Sequence, residues 1–231
     1  MKTALMCGSL FFLLITHLFA QQPTDFRWRV DDRQQATITD YTGNSTAITI
    51  PRLLGGATVT IIANNAFANK GLTSVTISDS VTFIGSYAFI NNQLTRINLP
   101  KRLEAISPGA FANNRLTSVD MPNGLIHIGS GAFANNLLIN VNLPDSLWNI
   151  YAAAFVNNRL ASVTIPDGVA IIEHGAFAYN PLISITIGAR VELWWEVLGG
   201  NDSFDRAYID GGRLAGTYTR PNAKSTAWTR K

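Results

Sequence analysis

Residues 72–93 read LTSVTISDSVTFIGSYAFINNQ, and five further units opening at Leu94, Leu116, Leu138, Leu160 and Leu182 repeat the pattern. Phe67, Phe89, Phe111, Phe133, Phe155 and Phe177 each follow an alanine and lie 22 residues apart without a slip. A fixed period of about 20–50 residues marks a solenoid or a propeller, which decides the architecture before any single motif is weighed. Stacked repeats present extended faces instead of one closed cleft, so the search for function moves to a surface.

Within each unit the first position is leucine. The fourth is Val75, Ile97, Val119, Val141, Val163 or Ile185, and the sixth is Ile77, Leu99, Met121, Leu143, Ile165 or Ile187. This spacing ends in period-two alternation and predicts a short strand with one buried face. Pro100, Pro122, Pro144 and Pro166 follow, where a fixed φ and a missing N–H end the strand. Apolar tenth and thirteenth positions, such as Leu103 and Ile106, lead to the Ala-Phe pair in a one-turn helical or 3₁₀ segment. One coil carries too little apolar surface to fold alone. The expected fold is therefore a repeat solenoid with a parallel sheet along one face and short helical or 3₁₀ turns on the other, capped at both ends. Paired asparagines follow the turn at 91–92, 113–114, 135–136 and 157–158, with Asn180 alone in the last full coil. At a repeated turn their expected role is to satisfy backbone groups, not to bind a ligand.

Leu94, Ile97, Leu99, Pro100, Leu103, Ile106, Ala110, Phe111 and Asn114 follow L-x-x-I-x-L-P-x-x-L-x-x-I-x-x-x-A-F-x-x-N position by position. This resembles the BspA-like, or Treponema pallidum-type, class of leucine-rich repeats. The resemblance covers roughly Val59 to Val191. It departs from the pattern at the ends, where Lys70 replaces the second asparagine, Ser78 and Gly188 replace proline, and Trp194 replaces isoleucine. Those units are expected to cap the stack.

The flanks divide the chain further. Residues 1–20 combine Lys2, an apolar run from Leu10 to Ile15 and a small residue before polar Gln21-Gln22, the pattern of a secretory signal peptide; an uncleaved anchor is the alternative. Cleavage would remove the single cysteine, Cys7, and lower the formal charge from +3 by one, to +2. No disulfide framework is then available, and long-range attraction to nucleic acid is not expected. Residues 21–58 read as an N-terminal cap, with a hairpin formed by Ala36–Tyr41 and Ala47–Ile50 around Thr42-Gly43-Asn44. Phe26-Arg27-Trp28-Arg29 is assigned to covering the open end of the stack, over a cation-and-aromatic binding patch. Residues 59–191 form the solenoid and 192–231 a C-terminal cap with a basic tail. From Gly211 onward Arg213, Arg220, Lys224, Arg230 and Lys231 stand without an acid, as solvated charge guarding a sheet edge or as a site for an acidic polymer.

No chemical constellation emerges. His127 and His174 lie 47 residues apart at different positions of their coils, and no HExxH, Walker, GxSxG or zinc-ligand spacing occurs. No catalytic residue, cofactor or metal is expected, and Gly55-Gly56 and Gly211-Gly212 read as turns. The outer side of the sheet, at the third and fifth positions, is the candidate partner-binding face. It comprises Ser74, Thr76, Arg96, Asn98, Ser118, Asp120, Asn140, Asn142, Ser162, Thr164, Ser184 and Thr186. It carries no aromatic anchor, so modest affinity reinforced by multivalency is expected. The resemblance implies a secreted or cell-surface bacterial protein binding host matrix, host cells or a bacterial surface protein. An envelope or periplasmic assembly module is the alternative.

Overall fold

The computed structural model describes residues 23–200 and 203–231. The expected leader at 1–20, with Cys7, lies outside the described residues. Stacked coils follow the 22-residue period, and the phenylalanines form their spine. Successive rings from Phe67 to Phe177 stand 4.9–5.6 Å apart with planes within 10° of parallel, and all six are buried. Tyr41 continues the stack, 5.8 Å from Phe67, and Phe26 packs edge-on against Phe67 at 6.2 Å, while Arg27 to Val30 are exposed.

The leucine-led side carries short parallel strands: β3 (Ala47–Ile50), β6 (Ser74–Ile77), β11 (Ser162–Thr164) and β13 (Ser184–Ile187). β3 pairs with β6 and β11 with β13, each in parallel register. The ladder is not continuous. Between β6 and β11 it thins to the isolated bridges Thr76↔Asn98 and Asn98↔Asp120. A second ladder, which the sequence reading did not anticipate, runs along a flank. It is in two parts: β7 (Phe83–Ile84) pairs with β5 (Ala57–Ile62), and β8 (Ala105–Ile106), β9 (His127–Ile128), β10 (Asn149–Ile150), β12 (Ile171–Ile172) and β14 (Glu192–Leu193) pair in series. Its second residue is buried in every coil, from Ile84 to Leu193. One-turn segments follow, with i→i−3 bonds such as Ala110 N–H to Ser107 O (3.2 Å) and Ala132 N–H to Gly129 O (3.0 Å). Each phenylalanine from Phe67 to Phe155 then passes its N–H to the alanine carbonyl of the next coil, as Phe111 does to Ala132 (2.9 Å), and Phe177 passes its own to Val197 O (3.0 Å).

The two asparagines of a pair do different things. The second is buried: Asn114 accepts from Leu94 N–H (3.1 Å) and donates to Phe89 O, Phe111 O and Ala112 O (2.9–3.2 Å). The first takes the left-handed conformation, with φ of 55–58° at Asn69, Asn91, Asn113, Asn135 and Asn157, where asparagine is tolerated better than other side chains. Its amide joins a surface chain from coil to coil, as in Asn113 Nδ2 to Asn91 Oδ1 (2.7 Å).

Three expectations at the ends are corrected. Ala36–Tyr41 and Ala47–Ile50 do not pair with each other. β2 (Gln35–Tyr41) runs antiparallel to β1 (Phe26–Val30) and parallel to β5 (Ala57–Ile62), whereas β3 belongs to the leucine-led side. Thr42-Gly43-Asn44 is thus a corner of a coil. A tight hairpin does join β4 (Leu53–Leu54) to β5 through Gly55 and Gly56, whose φ values of 57° and 88° suit a primed turn. Trp28 sits on this turn so closely that a Cβ at Gly55 would lie 2.2 Å from the indole.

Next, Trp194 does not fill the last isoleucine position. Leu193 does, pairing with Ile172, so the final coil is one residue short and Trp194 is exposed. Finally, the stretch from Val191 to Val197, whose sequence reads as a strand, holds only the two-residue β14. The basic tail is built into the cap: β15 (Gly216–Thr219) runs antiparallel along β13, and β16 (Thr229–Arg230) pairs with β15. Arg220 lies over the Trp228 ring at 4.8 Å and bonds Ser225 O, while Arg230 Nη2 bonds Ala215 O at 2.7 Å. Tyr208, on α1 (Phe204–Asp210), pins the last coil by donating to Gly188 O (2.8 Å) and accepting from Val191 N–H (2.9 Å).

Candidate functional site

The candidate face follows from alternation on the leucine-led side. Val75, Ile97, Val119, Val141, Val163 and Ile185 turn inward and are buried, which aims the flanking third and fifth positions at solvent. Ser74, Thr76, Arg96, Asn98, Ser118, Asp120, Asn140, Asn142, Ser162 and Thr164 are all exposed. Ser184 and Thr186 are half-buried, because β15 lies alongside and Thr186 Oγ1 meets Thr217 Oγ1 at 2.9 Å. The face therefore ends at the C-terminal cap.

The structure sets Thr76, Asn98 and Asp120 side by side across three coils, and Ser162 and Thr164 opposite Ser184 and Thr186. Among the described residues no ion pair joins Arg96 to Asp120, so the two charges do not neutralise each other by contact. Between Asn140–Asn142 and Ser162–Thr164, where no ladder is formed, lies a hollow of about 350 Å³ that also involves Asp145 and Pro166. Its chemistry is hydrogen bonding by hydroxyl and amide groups on a backbone held by the buried neighbours.

The histidines lie elsewhere. His127 is half-buried on the flank ladder beside Asn149, its ring 6.0 Å from Tyr151, and His127 Nδ1 and Asn149 Oδ1 are buried without a hydrogen-bond partner. His174 is exposed, and its Nδ1 meets the Trp195 carbonyl at 3.1 Å. No group of three His, Cys, Asp or Glu residues among the described residues is placed to hold a metal ion.

Sequence reasoning missed a set of exposed rings away from the sheet. Trp148 is 55% exposed, Tyr179 78% and Trp195 75%. Two had a legible signal. Trp148 holds the eleventh position, where other coils have Thr82, Glu104 and Ala170, and Tyr179 holds the place of the first asparagine, with φ of 56°. Trp195 had none, because its exposure depends on the one-residue slip.

Residues 41–192 match the BspA type leucine rich repeat region, in six copies. Among solved structures, a T. pallidum leucine-rich repeat protein is 30% identical, with a TM-score of 0.61, covering 69% of this chain and 77% of that one. A leucine rich cell surface protein from Faecalibacterium prausnitzii is also 30% identical, with a TM-score of 0.55. There 71% of this chain is covered but 53% of the other, so this chain spans about half the length of that protein. No curated protein matches the chain. No helix among the described residues is long and apolar enough to cross a membrane.

Proposed function

Because the chain belongs to the BspA type leucine-rich repeat family, we propose that it is an exported bacterial binding module that engages a protein partner through the outer side of its leucine-led sheet. The observation that carries this reading is the run of ten exposed hydroxyl, amide and charged side chains from Ser74 to Thr164, flanked by buried residues. Such a face is rigid before binding, so little ordering is lost when a partner docks. The absence of an aromatic anchor among these positions keeps single-site affinity low and favours many copies acting together, as in adhesion to host matrix or to other cells. The F. prausnitzii relative is a leucine rich cell surface protein, which supports display outside the cell.

The test is binding of the purified mature chain to immobilised matrix glycoproteins and to host and bacterial cells. An Arg96→Ala/Asp120→Ala variant should keep its fold and bind about three- to tenfold more weakly, since charges of this kind act on recognition more than on stability. Unchanged affinity would move the contact away from the sheet, and no saturable binding to any target would end the adhesive reading. Protease treatment of intact cells checks the location: removal of the protein supports surface display, and its survival supports a periplasmic one.

A further inference from the structure

The last coil holds a feature that the repeat pattern alone does not require. Leu193 takes the buried position and Trp194 N–H donates to Ile172 O (2.9 Å), so the backbone must turn at once to reach Val197, whose N–H donates to Asp205 Oδ2 at 3.2 Å. Glu196 makes that turn with φ of 56°, and its carbonyl receives Gly175 N–H and Gly199 N–H. The result is two adjacent tryptophans held outward on a pinned backbone, 47% and 75% exposed.

Between this turn and α1 lies a cleft of about 1000 Å³, with Trp194, Trp195, Glu196, Asp205, Arg206 and Asp210 in its wall. Three carboxylates face one guanidinium there, in a chain whose whole sequence has 18 Lys and Arg against 15 Asp and Glu. The local sign is therefore opposite to that of the chain. Among the described residues, no ion pair occupies Glu196 or Asp210. Indole faces attract cations, most strongly where carboxylates lower the cost of bringing the charge out of water. The volume is that of a site for a segment of several atoms' breadth, not of a lone ion.

We propose that this cleft docks a basic segment of the protein partner, seating an arginine or lysine side chain against Trp195 with Glu196 and Asp210 as its counter-charges. The inference rests on the reading of the chain as a protein-binding module, and it adds a second contact, at the C-terminal end of the sheet face.

The probe is a short peptide of alternating glycine and arginine, with a lysine version and an uncharged citrulline version, titrated into the full mature chain by calorimetry and by tryptophan fluorescence. The arginine and lysine peptides should bind, the citrulline peptide should not, and affinity should fall between about 0.05 and 0.5 M salt as screening shortens the range of the attraction. Trp195→Ala and Glu196→Gln/Asp210→Asn should each weaken binding about five- to tenfold or more. These positions are exposed, and unchanged urea unfolding confirms that the fold is intact.

Absence of binding by both cationic peptides, equal binding of the citrulline peptide, or unchanged affinity in the variants overturns the inference. The peptide assay needs no natural partner, so its failure is separable from failure of the adhesive reading. A natural partner bound equally well by Trp195→Ala but lost in Arg96→Ala/Asp120→Ala would leave that reading standing and remove the cleft from it.

Discussion

Replacing Asn136 with alanine tests what holds neighbouring coils together. The side chain is 5% exposed and makes four bonds: Oδ1 accepts from Leu116 N–H at 3.0 Å, and Nδ2 reaches Phe111 O, Phe133 O and Ala134 O at 2.9, 3.1 and 3.2 Å. The carbonyls are covered twice. Phe111 O keeps Asn114, Phe133 O keeps Asn158, and Ala134 O keeps Asn113 N–H. Leu116 N–H has no second acceptor among the described residues, so the variant strands one buried donor, at about 1–3 kcal/mol, and loses the two amide hydrogens that the three carbonyls share, worth about 0.5–1 kcal/mol each. The expected loss is about 2–5 kcal/mol, read from urea unfolding by linear extrapolation. Native-state hydrogen exchange should also show the Leu116 amide losing protection first. The neighbouring control is Asn135→Gly. Asn135 is exposed with φ of 55°, a conformation glycine adopts freely, and it loses only the surface bonds to Asn113 and Asn157, so its cost should stay within about 1 kcal/mol. A cost below about 1 kcal/mol for Asn136→Ala, or an equal cost for both substitutions, would refute the argument that the second asparagine completes the coil backbone.

Three further outcomes follow from the ends of the stack. Burial raises the ionisation of Tyr41, Tyr208 and Tyr218 above the ordinary value of 10.0, helped at Tyr41 by the charge of Asp25 and opposed at Tyr218 by Arg230. The unfolded chain ionises these phenols near 10 while the folded chain still holds the protons. Their contribution is therefore complete below pH about 10 and is lost as pH rises through the folded values. Absorbance at 295 nm should show a late component that appears together with loss of the fold, and a single ionisation near pH 10 in still-folded protein would contradict it. In the cap, Tyr218 is buried against Phe204 and Tyr208, and its hydroxyl bonds Leu214 O at 2.9 Å. Tyr218→Phe should cost about 1 kcal/mol and Tyr218→Ala about 3–5 kcal/mol. Deleting residues 214–231 should leave β13 as an open edge and make the protein self-associate in light scattering; a monomeric, stable truncation would show that the tail is not the cap.

How much of this was legible in the sequence depends on how far each feature lies from the period. The phenylalanine spine, the backbone role of the second asparagine and the outward aim of the third and fifth positions all follow from residues recurring together at fixed places. The flank ladder does not, because a two-residue strand such as Ala105–Ile106 is too short to show alternation. The expected hairpin failed for a different reason. Ala36–Tyr41 and Ala47–Ile50 both alternate, but alternation says only that each is a strand and not which side of a coil it occupies, and Tyr41 is already committed to the ring stack beside Phe67. At the far end the period itself misleads. Counting 22 from Ile172 lands on Trp194, and both Leu193 and Trp194 are apolar, so pattern alone cannot choose between them. Packing decides, since leucine fits the interior that Ile172 and Val191 leave, whereas a tryptophan there would overfill it. That single-residue slip sends two indoles outward beside the carboxylates of Glu196 and Asp210. The part of the surface most distinctive of this chain thus arises where its repeat is broken, and the regular coils before it supply the rigid base from which that surface is held.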